Sequence, residues 1–135
     1  MSIPARLVLA TGNAGKLREM REILAPWQAD VRSLAEFTPG SADETGLTFV
    51  ENALLKARFA ARVSGLPAIA DDSGLEVDAL GGKPGVHSAR FAALDSGHAG
   101  NSNDADNNAK LLRLLVNVPL ERRTARFRCV LALTP

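Results

Sequence analysis

One stretch near the start constrains the chain more than any other. The apolar run Arg6–Ala10 is broken by Thr11-Gly12-Asn13-Ala14-Gly15, and apolar residues resume after Lys16 at helical spacing in Leu17, Met20, Ile23 and Leu24. Strand, glycine-containing loop and helix in that order make a βα unit, and an uninterrupted apolar strand suits burial on both faces. Such a unit can bind an anion: glycines let the backbone approach a phosphate, and amides at a helix N-terminus point toward it with the dipole behind them. Lys16 adds a full positive charge, and Thr11 and Asn13 add side-chain donors. No Ser or Thr follows Lys16 and Gly-x-Gly-x-x-Gly is absent, so neither a Walker loop nor a dinucleotide fingerprint is present. Spacing alone leaves two readings, a phosphate cradle or an ordinary βα turn.

Further along, Pro26 ends the first helix, Trp27 is expected to cover its end, and Ala29–Ser33 reads as a second strand. Thr38–Leu47 is a loop rich in Gly, Ser and acidic residues. Thr48 with Glu51 fits a capping box opening a helix over Phe49–Ser64, with Val50, Ala53, Leu54, Ala57, Ala60 and Ala61 as one small-residue face. Ala68-Ile69-Ala70 reads as a buried strand ending at Asp71-Asp72-Ser73-Gly74, and Leu75–Ala79 alternates like a separate strand with one wet face. Leu94–Asn103 is expected to be a mobile loop, Asp104–Val116 a helix packed through Ala105, Ala109, Leu112 and Leu115, and Arg123–Leu133 a strand. The layout fits one α/β domain over residues 1–135. A long apolar strand followed only by Thr134-Pro135 raises the expectation of further chain beyond it.

Composition narrows the function classes. With 16 basic and 15 acidic residues the formal net charge is +1, which gives no electrostatic footprint for nucleic acid or a membrane surface. Met1-Ser2-Ile3-Pro4-Ala5-Arg6 lacks a signal-peptide core, no apolar run approaches the length of a membrane span, and the chain reads as cytoplasmic. Cys129 is the one cysteine, so neither an internal disulfide nor a Cys-rich metal site can form, and its strand context predicts a core thiol.

Candidate chemistry gathers on acids and lysines. In open α/β sheets ligands bind beyond the carboxyl ends of strands, which is where Asp71-Asp72 is expected. Adjacent strand residues point to opposite faces, so one carboxylate can face a site while the other anchors the loop. Magnesium takes one or two carboxylates with water and phosphate oxygens, and Asp43 or Glu44 of the acidic loop can supply the second. Lys56 lies on the long helix one turn after Asn52. Arg123, Arg126 and Arg128 read as an exposed strand face rather than a phosphate clamp, and neither His87 nor His98 has a partner that suggests catalysis.

These segments together resemble the inosine triphosphate pyrophosphatase family, the HAM1-like non-canonical purine nucleoside triphosphate pyrophosphatases, bacterial branch. The resemblance rests on Leu9–Lys16, Glu44–Ala53, Lys56-Ala57-Arg58, Ala68–Leu75, Leu80–Gly85 and the closing Arg123–Leu133 strand, in family order. It implies an elongated α/β fold, a mixed sheet flanked by helices with a central cleft, acting as a Mg²⁺-dependent homodimer. The implied reaction is hydrolysis of ITP, dITP and XTP to the monophosphate and pyrophosphate, cleansing the nucleotide pool. By motif, Thr11, Gly12, Asn13, Ala14, Gly15, Lys16 and Lys56 would hold the triphosphate and Ser73 would touch substrate. Asp72 would be both proton acceptor and metal ligand, with Asp43 or Glu44 as the other metal contact. The family's Phe-Gly-Tyr-Asp and Ser-His-Arg segments, which recognise the base, do not occur here, so the resemblance covers about the first two-thirds of a member. The alternative is a truncated, non-catalytic module that binds polyphosphate without turnover.

Overall fold

β1 (Arg6–Leu9) carries the most apolar register in the chain, with Leu7, Val8 and Leu9 at most 3% exposed. A computed structural model describes residues 3–97 and 100–135; Met1, Ser2 and the predicted loop residue His98 lie outside the described residues. β1 pairs in parallel with β2 (Asp30–Ser33) on one side and with β3 (Ala68–Val77) on the other. Among the described residues β4 (Ala125–Thr134) completes the order β2-β1-β3-β4. Opposed pairs Glu76–Arg128 and Asp78–Arg126 step in opposite directions along the two strands, so β4 runs antiparallel to β3 and the sheet is mixed. The expected α/β class with a mixed sheet is the one observed.

The chain divides into two units, residues 1–72 with 130–135, and residues 73–129. In the first, a helix covers each sheet face. α1 (Ala14–Leu24) packs Leu17, Met20 and Leu24 against Leu7, Leu9 and Val31. On the opposite face α2 (Phe49–Ser64) presses Ala53, Ala57 and Ala60, all 0% exposed, against Val8, Ala68, Ala70 and Ala132. Methyl-sized side chains let the helix backbone approach the strands closely, so a larger residue here would overpack the interface. Thr48 caps α2 by accepting from the Glu51 N–H (3.1 Å), and Gly65 ends it at φ +70°. Val50 departs from the expected apolar face and is exposed, because it lies off the Ala53–Ala57–Ala60 stripe.

In the second unit the short helix α3 (Ala93–Ser96) occupies part of the stretch expected to be loop, and α4 (Asp104–Leu114) comes next. α4 turns differently from the predicted face. Leu112 is exposed, while Asn107 and Leu115 are buried. Asn107 sets that rotation by accepting from Ala92 N (2.8 Å) and Ser102 Oγ (2.7 Å), which ties the preceding loop to the helix. Arg126 and Arg128 pair with Asp78 and Glu76 across the strands, consistent with a structural strand face.

Three further expectations, each of a side chain that is covered or covers another, fail. Cys129 is exposed rather than a core thiol, because β4 is an edge strand whose residues through Cys129 are exposed among the described residues. Trp27 is 61% exposed and does not cover the end of α1, since Ala25–Trp27 forms a separate 3₁₀ turn. Ile23, on the outer side of α1, is likewise exposed.

Candidate active site

The loop after β1 is organised by Asn13. Its backbone is extended, and its side-chain Oδ1 accepts from the N–H groups of Gly15 (2.9 Å) and Lys16 (3.1 Å), which caps α1. Thr11 Oγ1 accepts from Asn13 N–H at 3.1 Å. Both side chains thus act as acceptors within the loop, where donors were expected, although the Thr11 hydroxyl hydrogen and the Asn13 Nδ2 group remain to donate outward. A Cβ on Gly15 would stand 3.1 Å from Asn13 Oδ1, so glycine there leaves room for the cap. Nothing lies within 4 Å of a Cβ built on Gly12, where the backbone faces open space. Helix α1 begins at Ala14, two residues before the predicted start, because the Asn13 cap lies inside the glycine segment.

β3 does not end at Asp71. It continues to Val77, so Asp71-Asp72 lies within a strand rather than at its close. The register with β1 stops at Leu9↔Ile69, however, and both carboxylates therefore stand just past the C-terminal end of the neighbouring strand. The two-residue alternation separates them. Ala68, Ala70 and Asp72 share the α2 face, and Ile69 and Asp71 share the α1 face. Each acid meets a lysine from the helix on its own side. Lys16 Nζ is 2.8 Å from Asp71 Oδ2, and Lys56 Nζ is 3.6 Å from Asp72 Oδ1.

Lys56 also reaches the acidic loop, with Nζ 3.5 Å from Glu44 Oε1. The ammonium therefore stands between two carboxylates, one buried and one partly exposed. Asp43 is exposed and forms no ion pair among the described residues. Asp72 is 7% exposed, and its Oδ2 is buried without a hydrogen-bond partner. Burial raises the Asp72 pKa above its ordinary value; Lys56 pulls it back, and the Glu44 charge adds to the rise. Ser73, next on β3, is exposed.

A buried carboxylate oxygen with no partner is costly unless a cation or a proton meets it. Asp72 and Glu44 make a two-carboxylate oxygen set, which suits a hard ion completed by water and phosphate oxygens. No group of three or more His, Cys, Asp or Glu able to hold a metal occurs among the described residues, so an all-protein metal cage is not formed. Asn52, to which sequence reasoning gave no role, is 1% exposed and accepts from Gly46 N–H at 2.8 Å. Its signal was legible only as spacing: it precedes Lys56 by one helical turn, adjoining the alanine stripe. His87 sits in the 3₁₀ turn Gly85–Arg90, with its Nδ1 3.2 Å from Arg90 Nη2 and no carboxylate paired with it among the described residues.

Known proteins carry the same framework. The chain is 57% identical over 126 residues to a dITP/XTP pyrophosphatase of Yersinia pseudotuberculosis, a match covering 93% of this chain and 61% of that protein. A dITP/XTP pyrophosphatase of Mannheimia succiniciproducens is 56% identical over 129 residues, covering 95% and 63%. Among solved structures, a HAM1 protein from Coxiella burnetii superposes with a TM-score of 0.85 at 44% identity, over 96% of this chain and 63% of that one. The Staphylococcus aureus Ham1 protein gives 0.81 at 40% identity, over 96% and 62%. The chain thus spans a little over three-fifths of the length of these relatives. The Ham1 family pattern matches residues 7–135, which include the Asn13-capped loop, both lysines and the tandem carboxylates, and the chain belongs to the Ham1 family.

Proposed function

We propose that this chain carries the triphosphate- and metal-binding part of a pyrophosphatase. It would hydrolyse non-canonical purine nucleoside triphosphates (ITP, dITP, XTP) to the monophosphate and pyrophosphate. The observation that carries the reading is Asp72. Its carboxylate is buried, has an unpartnered Oδ2, and stands against Lys56 and Glu44 past the end of β1. The dITP/XTP pyrophosphatase names of relatives such as that from Yersinia pseudotuberculosis support the substrate class.

In this mechanism the loop Thr11–Lys16 and Lys56 receive the triphosphate oxygens and neutralise charge that grows on the leaving pyrophosphate. Asp72 and Glu44 are the residues that would hold Mg²⁺, which when bound supplies Lewis-acid polarisation of the phosphates. Asp72 Oδ2 accepts the proton of the attacking water as the phosphoanhydride between the α- and β-phosphates breaks. A carboxylate held above its usual pKa is a stronger base than free aspartate, which suits that role. Ser73 is assigned to substrate contact and the active species to a homodimer. Asp43 is the weaker candidate for the second metal contact.

The test is to incubate the full-length protein, with the base-recognising segments that this chain lacks, with dITP, XTP and ATP plus Mg²⁺ and identify the products. Pyrophosphate and monophosphate in equal amounts, from dITP and XTP in preference to ATP, are expected. Orthophosphate as the product, or binding of dITP without turnover, would reject the reading.

A further inference from the structure

Besides the Lys56–Glu44 ion pair, side-chain contacts tie the acidic loop to the start of α2. Three side-chain contacts do so in succession: Gly46 N–H donates to Asn52 Oδ1 (2.8 Å), Leu47 N–H to Glu51 Oε2 (3.3 Å), and Thr48 Oγ1 to Glu51 Oε1 (3.2 Å). The two Glu51 bonds belong to the helix cap and are exposed. The Gly46–Asn52 bond is different. Asn52 is among the most deeply buried side chains of the chain, at 1% exposed, and a buried carboxamide is retained only where its polar atoms are used.

Gly46 fits this one place. A Cβ there would lie 2.6 Å from Glu51 Cβ, 2.7 Å from Asn52 Oδ1 and 3.1 Å from the Asn52 backbone nitrogen. The loop backbone is therefore seated directly on the Asn52 carboxamide with no room for any other residue. Glu44 stands two residues earlier, with its carboxylate 3.5 Å from the same Lys56 that meets Asp72. Asn52 and Lys56 lie one turn apart on α2, so one helix face fixes both the loop and the cation between the acids.

We propose that Asn52 is a positioning residue: by accepting the Gly46 N–H it holds the acidic loop so that Glu44 stands beside Asp72 as the second carboxylate for a divalent cation. Its carboxamide also stands beside the Asp72 carboxyl, where it favours the charged form, and the role proposed here is its hold on the acidic loop through Gly46. This rests on the reading of Asp72 and Glu44 as metal ligands, and the experiment separates the two.

The measurement is Mn²⁺ affinity, read from the EPR signal of the free ion, in the wild-type protein and in Glu44→Gln, Asn52→Leu, Gly46→Ala and the double variant Asn52→Leu/Glu44→Gln. Removing a group that orients a metal ligand typically costs about tenfold in affinity, and that loss is expected for Asn52→Leu. Gly46→Ala is expected to do the same with the Asn52 carboxamide intact, and it carries the test alone if Asn52→Leu does not fold. In the Glu44→Gln background Asn52→Leu is expected to cost much less than in the wild type, leaving only what its contact with Asp72 contributes, an outcome that a merely structural residue would not give. Wild-type affinity in both Gly46→Ala and Asn52→Leu would overturn the inference, as would a full additional loss in the double variant. Wild-type affinity in Glu44→Gln would instead remove the metal reading on which the inference stands.

Discussion

Replacing Asp72 by asparagine keeps the shape of the side chain and removes its charge, and the surroundings set the sign of the effect on stability. The wild-type carboxylate is 7% exposed with Oδ2 unpartnered, a burial cost of about 1–3 kcal/mol in comparable groups. Against it stands the Lys56 ammonium, 3.6 Å away and itself shared with Glu44, worth about 1 kcal/mol at such loose geometry. The balance favours the neutral side chain, so Asp72→Asn is expected to stabilise the metal-free fold by about 1 kcal/mol. At the usual unfolding entropy per residue, a 135-residue chain then gains about 3–4 °C in Tm. The pH dependence comes from the raised pKa of Asp72. The folded chain holds that proton more tightly than the unfolded one, so the wild type loses stability as pH rises from 3.8 through the raised folded value. The gap between the two proteins therefore opens across that window, persists at neutral pH, and closes in acid. Thermal melts followed by circular dichroism at pH 7.5 and in acid, with divalent cations chelated, measure it. Adding Mg²⁺ should raise the Tm of the wild type and not of the variant, by about 1.4 kcal/mol at ten times the dissociation constant. A variant less stable than wild type at pH 7.5 would refute the reasoning, because the Asp72 carboxylate would then be a net structural asset.

Other perturbations probe the remaining parts of the site. Lys56→Met leaves Glu44 and Asp72 facing each other without a cation, and its loss should cost about 1–3 kcal/mol, the figure for a broken buried pair discounted for the partial exposure of Glu44; chemical denaturation at neutral pH measures it. Asp71→Asn releases Lys16 from its 2.8 Å partner, and because the acid acts through that lysine, its effect on KM for dITP should vanish in a Lys16→Met background. Additive effects in that cycle would separate the two residues. Ala57→Leu forces a side chain into the fully buried contact between α2 and the sheet and should destabilise by about 1–3 kcal/mol in denaturant titration while leaving pyrophosphate as the product.

The sequence made some of this legible and hid the rest for identifiable reasons. β1 and α2 were readable because an uninterrupted apolar run and a capped alanine stripe each have a single good burial solution. The limits of β3 were not. Gly74 and the tandem aspartates look like a turn, but the chain continues as strand because β4 takes over as its partner, and that pairing joins residues some fifty positions apart. The same long-range dependence hid the environment of Cys129 and Trp27, since local apolar context cannot say whether another layer covers a strand or a turn. At the site, alternation correctly separated Asp71 from Asp72, yet not which lysine each would meet. Asn52 was the residue most easily overlooked, because a lone helical asparagine gives no local sign that a loop backbone will rest on it.

Asp72 is central to the proposed reaction as the group that takes the proton from water, and steady-state pyrophosphate release from dITP with saturating Mg²⁺ tests that role most directly. Compared with the wild type, Asp72→Asn is expected to lose about 10²–10⁴-fold in kcat while the folded protein still binds dITP, the range for removal of a general base. A variant that turned over dITP within about threefold of the wild-type rate would contradict the assignment, since a catalytic base cannot be removed at so small a cost.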